Sequence, residues 1–189
     1  MRKPIIVLSL FLGNILLCNA QFTKTLRPNN SFNDSLSKIV YDFKNNFYPI
    51  QGRQLVSQVM ADVYQSKAGM PGAAHCVIQR YHSEDDTTAS WQAVLYEGEI
   101  YEEALKVYKN TIKQLKKARL KLGEGASASF SGEIELPSEN ISFTVTPLRL
   151  NVADPDYKYF FAEIEITNNY DGWEVHLNLH NKKSDSDEY

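Results

Sequence analysis

The chain has 189 residues, 20 of them basic and 23 acidic, for a formal charge of −3, and 43% of it is hydrophobic. That length fits one domain or two small repeats and is enough to bury a core without cross-links. The mild acidity argues against a nucleic-acid binder.

Residues 1–20, MRKPIIVLSLFLGNILLCNA, read as a secretory signal. Arg2 and Lys3 give the basic start, Ile5 to Leu17 the apolar run, and Asn19-Ala20 before Gln21 a small-residue cleavage site. The run is too short and interrupted for a membrane-spanning helix, and no later stretch matches it, so no integral membrane segment is expected. The expected product is secreted or periplasmic. Cys18 offers a minor alternative, a lipoprotein acylated at that residue, although large Leu17 precedes it. The 20 basic residues less Arg2 and Lys3 leave 18 against 23 acidic ones, a charge of −5. With Cys18 gone, Cys76 is alone and no internal disulfide is possible. Asn29, Asn33 and Asn140 begin Asn-x-Ser sequons, which matter only in a host that glycosylates its exports.

Residues 21–32 are polar and read as loose. A helix is expected from about Asn33, capped by Asn33 or Ser31, with Leu36, Ile39, Val40, Phe43 and Phe47 on one stripe and Pro49 and Gly52 ending it. Residues 54–68 fit a helix or a strand, with a lean to strand near Val63-Tyr64. After the turn Gly69-Met70-Pro71-Gly72 a hairpin follows. Ala74, Cys76 and Ile78 share one face, and His75, Val77, Gln79 and Tyr81 the other. Acidic Ser83 to Thr87 forms the bend. The return strand turns Ala89, Trp91, Ala93 and Leu95 inward. His75 and Cys76 are therefore expected on opposite faces, with Cys76 a buried small hydrophobe and not half of a catalytic pair.

A long helix is expected from about Glu99 to Leu122, buried along Tyr101, Ala104, Leu105, Tyr108, Ile112, Leu115 and Leu122. Glu102 and Glu103 at its start and Lys116, Lys117, Arg119 and Lys121 at its end suit the helix dipole. Gly123 and Gly125 read as its stop. Alternating strands follow: Phe130, Gly132, Ile134 and Leu136 on one face; Ile141, Phe143 and Val145; a switch of phase after Pro147 to Leu148 and Leu150; Phe160, Ala162, Ile164 and Ile166; and Trp173, Val175, Leu177 and Leu179. Asn181 to Tyr189 reads as a disordered charged tail. The pattern predicts an α+β fold: an antiparallel sheet with two helices on one face, possibly two helix-then-meander units, in a single domain over 21–180. In its signal and its strand–helix layout the chain resembles small exported α+β proteins of Gram-negative bacteria; the resemblance carries no functional residue across.

Specific chemistry is sparse. There is no G-x-S-x-G, P-loop or G-x-G-x-x-G motif. His82 to Asp86 lacks the alternating ligands and turn glycine of a calcium loop. His176 and His180, four apart on a strand, stand roughly 13 Å apart and cannot chelate one ion together. No metal or other cofactor is expected. Two features suggest binding. Lys109, Lys113 and Lys116, with Lys106, Lys117, Arg119 and Lys121, make the long helix basic, suited to an anionic polysaccharide, a membrane surface or an acidic partner. Tyr157, Tyr159 and Phe161 alternate against Phe160 and Ile164, which places three aromatics on a nominally wet face, a contact surface for a protein or glycan. The expected function is thus an exported, non-catalytic binding or interaction protein. The alternative is a small hydrolase or lyase that uses His176 with Glu163 or Glu165 on the facing strand.

Overall fold

A computed structural model describes residues 30–82, 88–122 and 126–181. The signal with Cys18, the segment 21–29 with its sequon at Asn29, the bend at 83–87, the glycines at 123 and 125 and the tail from 182 lie outside the described residues.

The fold is α+β. Helix α1 (Asn30–Asp42) leads into four strands, β1 (Gln51–Ser57), β2 (Ala61–Ser66), β3 (His75–Tyr81) and β4 (Ala89–Gly98). Helix α2 (Tyr101–Lys117) then leads into five, β5 (Leu120–Leu122), β6 (Ala126–Ser131), β7 (Phe143–Asn151), β8 (Phe160–Asn169) and β9 (Gly172–Asn181). They form one nine-stranded sheet in the order β1-β2-β3-β4-β9-β8-β7-β6-β5, every pair antiparallel. Each helix thus precedes a meander, and the two meanders join where β4 pairs with β9, Trp91 opposite Leu179.

The alternation decides which face is covered. Ile78, Trp91, Ala93, Leu177, Leu179, Ile164 and Ala162 share one core cluster with Leu36, Ile39 and Val40 of α1 and Ala104, Tyr108, Ile112 and Leu115 of α2. Both helices therefore cover the same face. A fully buried Trp91 satisfies its indole N–H by donating to Ser66 Oγ at 2.9 Å. The opposite face carries Gln79, Gln92, Asn178, Glu163 and Glu165.

Helix α1 starts at Asn30, earlier than expected, so Ser31 and Asn33 lie within its first turn. It stops at Asp42, before Pro49 and Gly52, because Asn46 and Phe47 adopt left-handed backbone angles (φ 50° and 59°). For Phe47 that geometry costs of order 1 kcal/mol. Complete burial of the ring offsets it, as do the bond from Phe47 N–H to Asp42 O and the acceptance by Asn46 Oδ1 of the Ala89 N–H. Residues 54–68 hold the end of β1, the turn at 58–60 and all of β2, and the hairpin of β3 and β4 pairs Cys76 with Ala93; Val77 and Val94, expected on the wet face, are buried, and Cys76, expected inside, is only half-buried.

Three further expectations are overturned. Helix α2 ends at Lys117, because Ala118 turns extended (ψ 140°), and Leu120 and Leu122 are strand residues paired with β6. The strand through Phe130 stops at Ser131, leaving Ile134 and Leu136 exposed. A Cβ on Gly132 would sit 2.5 Å from Pro147 O, so the backbones are in contact where the segment leaves the sheet. Strand β7 shows no switch of phase: Thr146, Leu148 and Leu150 all face the core, while Phe143 is exposed. Pro147 sits where β7 has outrun its pairing with β6, which begins at Arg149.

Candidate functional site

The lysines predicted from the sequence converge. Lys109, Lys113 and Lys116 recur every three or four residues on the exposed side of α2. The departed segment 132–138 runs beside this side. It is anchored at one end by Lys116 Nζ, which donates to Gly132 O at 3.0 Å, and at the other by Tyr101, whose hydroxyl donates to Pro137 O at 2.9 Å. Between them Tyr108 Oη donates to Glu135 O at 3.0 Å, and Thr146 Oγ1 accepts the Glu135 N–H at 2.9 Å. With Glu135 tied inward, Ile134 and Leu136 project outward. The result is a groove of about 420 Å³ lined by Ile112, Ile134 and Leu136 and by Lys109, Lys113, Lys116 and Lys117. Its floor is apolar and its rim cationic. Lysine suits such a rim, since its alkyl stem covers apolar surface while the ammonium stays in water.

The aromatic trio does not form one surface. Tyr157 is buried, 1% exposed, with its ring 5.7 Å from Phe43 and 6.0 Å from Phe160. The strand period fails there because Pro155–Tyr157 is a 3₁₀ turn, its first amide held by Asp154, whose Oδ1 accepts the Asp156 N–H. Tyr157 therefore belongs to the core. Burial pushes its phenol up to about 12, and its hydroxyl has no hydrogen-bond partner among the described residues. Lys44, which pairs with Asp154 and Asp156, lies 5.2 Å from the ring centre. Tyr159 and Phe161 are half-buried under cations, Lys158 Nζ 4.6 Å from one ring centre and the Arg149 guanidinium 6.0 Å from the other.

The histidines lie on the uncovered face. His176 and Glu165 are cross-strand partners, but His176 Nε2 bonds Glu174 Oε2 at 2.8 Å, and Glu165 accepts from Asn178. His180 makes the cross-strand contact, Nε2 to Glu163 Oε2 at 3.0 Å. That pair lines a polar depression of about 330 Å³ with Gln79, Gln92, Ser90, Asn178 and Tyr81. Sequence reasoning weighed Glu163 with His176 and missed His180. The register supplies the missing signal: Glu163 stands opposite Asn178, midway between the two imidazoles. No group of three or more metal-ligating side chains occurs among the described residues.

Cys76 is half-buried at a hollow of about 460 Å³ beneath Leu55, Met70 and Gly69, and burial pushes its thiol up from the usual range. His75, its neighbour in sequence, is exposed and paired to Val94. Both residues line the same hollow, and no hydrogen bond joins them among the described residues.

No helix among the described residues is long and apolar enough to cross a membrane. Comparison with protein-family models, with curated proteins and with solved structures finds no match to the chain.

Proposed function

We propose that this chain is an exported, non-catalytic binding protein, and that the groove between α2 and residues 132–136 takes an anionic amphiphile, an acyl chain with a carboxylate, phosphate or sulfate head. The observation that carries the reading is the pairing of an apolar floor, Ile112, Ile134 and Leu136, with a rim of four lysines in a chain whose overall charge is −3. An anionic polysaccharide has no use for the floor. A neutral oil has no use for the rim. Burying about six methylenes contributes roughly 5 kcal/mol, and exposed ammonium contacts add about 1 kcal/mol at most. Together these set a ceiling of about 6 kcal/mol, so the Kd is on the order of 100 µM or weaker once the costs of association are included.

Calorimetry with decanoate, decyl glucoside and decyltrimethylammonium separates tail from head. The expected order is decanoate first, about fivefold ahead of decyl glucoside, with added salt reducing the difference. Equal affinity for all three would remove the rim from the account, and no binding of decanoate would remove the function.

A second reading rests on the His180–Glu163 pair in its polar depression. It supports a small hydrolase or lyase with His180, and not His176, as the proton carrier. Turnover of a panel of chromogenic esters and glycosides that disappears in His180→Ala would support it; an unchanged background rate would end it.

A further inference from the structure

The two edges of the sheet are treated differently. Strand β5 is three residues long and packs against α1. Strand β1 is seven residues long, lies at the opposite edge and, among the described residues, pairs only with β2. Residues 53–60, RQLVSQVM, are all exposed. They include Leu55 at 45%, Val56 at 47%, Met60 at 60% and Val59 at 90% exposure. Arg53 is the only charge among them, and there is no proline. Natural edges are blunted by charge, proline, bulges or cover. This one carries two shifts of register, before Gln54 and before Val56, yet keeps Leu55 and Val56 in water.

We propose that β1 pairs with β1 of a second copy, antiparallel about a two-fold axis, joining two nine-stranded sheets into one. An unpaired strand edge offers a row of N–H and C=O groups that only another strand satisfies in register. The same row argues against insertion into lipid, where each unsatisfied group costs several kcal/mol. A second copy fits because a two-fold places the same segment against itself. From Gln54 to its end at Ser57 the strand has no charge to repel its image, although the whole chain is acidic. Contact would cover Leu55 and Val56, leaving the lysine groove, on the other half of the molecule, open.

Sedimentation of the purified protein between 1 and 100 µM tests this. The expected result is a shift from one to two chain masses, abolished by Val56→Lys, with the far-UV spectrum of the variant unchanged. A single chain mass at 100 µM, or a dimer that survives Val56→Lys, overturns it. Hydrogen exchange on the unmodified protein gives a reading independent of any variant. Amides of residues 54–57 should exchange at least tenfold more slowly at 100 µM than at 1 µM, and equal rates contradict the pairing.

Discussion

The hydroxyls of Tyr108 and Thr146 lie 2.6 Å apart, one from the middle of α2 and the other from β7, and both reach the backbone of Glu135. The protons circulate consistently. Thr146 accepts from Glu135 N–H, Tyr108 donates to Glu135 O at 3.0 Å, and with that proton used the bond between the two hydroxyls takes the Thr146 proton. Three elements are tied at one buried point, and the groove wall of Ile134 and Leu136 hangs from it.

Thr146→Val keeps the shape of the side chain and removes the hydroxyl. The Glu135 N–H then loses its acceptor, for a cost of about 1–3 kcal/mol. Urea unfolding should show that loss. Decanoate binding should weaken in the same variant, because the wall is no longer fixed. A variant as stable as the parent would mean that the ring of hydrogen bonds does not hold the segment.

Tyr157→Phe should be neutral or should stabilise by up to about 1 kcal/mol, since it removes a buried hydroxyl that has no partner among the described residues and keeps the ring. The pH dependence has a definite sign. The folded phenol holds its proton up to about 12 and the unfolded one only to about 10. The stabilising difference is therefore intact below pH 10 and is lost as pH climbs towards 12. The phenylalanine variant should lack that part of the alkaline loss. A large loss of stability at neutral pH would show that the hydroxyl has a partner.

Cys76 should be a poor nucleophile. Desolvation raises its thiol, so the thiolate fraction at pH 8 falls below that of an unfolded cysteine. In a chain beginning at Gln21, where it is the sole thiol, reaction with an aromatic disulfide reagent should run at least tenfold slower in the native state than in urea. Native and unfolded rates that coincide would place the sulfur in the open.

The alternation of β8 and β9 was legible because each strand is wet on one face and dry on the other, so the period alone assigns the faces; in β3 and β4 it is blurred, since Val77 and Val94 are buried on the face that was read as wet. Leu122 was not, because Leu115, Ala118 and Leu122 fit a helical stripe as well as Leu120 and Leu122 fit a strand; only the extended turn at Ala118 decides. Thr146 hid the phase of β7, since a core position is held there by a hydroxyl with a tertiary partner. Tyr157 was misplaced by counting through a 3₁₀ turn that Pro155 and Asp154 announce locally. Half of the candidate groove was visible, in the spacing of Lys109, Lys113 and Lys116. The other half, Ile134 and Leu136, read as buried strand, because nothing local says that the Glu135 backbone is captured by Tyr108 and Thr146.

The most direct test of the account is methyl NMR of Ile112, Ile134 and Leu136 during a titration with decanoate. The account predicts saturable shifts of Ile134 and Leu136, with Kd on the order of 100 µM or weaker, and at least tenfold weaker binding in Lys109→Glu/Lys113→Glu. Methyls that stay unmoved, or shifts confined to residues of the uncovered sheet face, would contradict it.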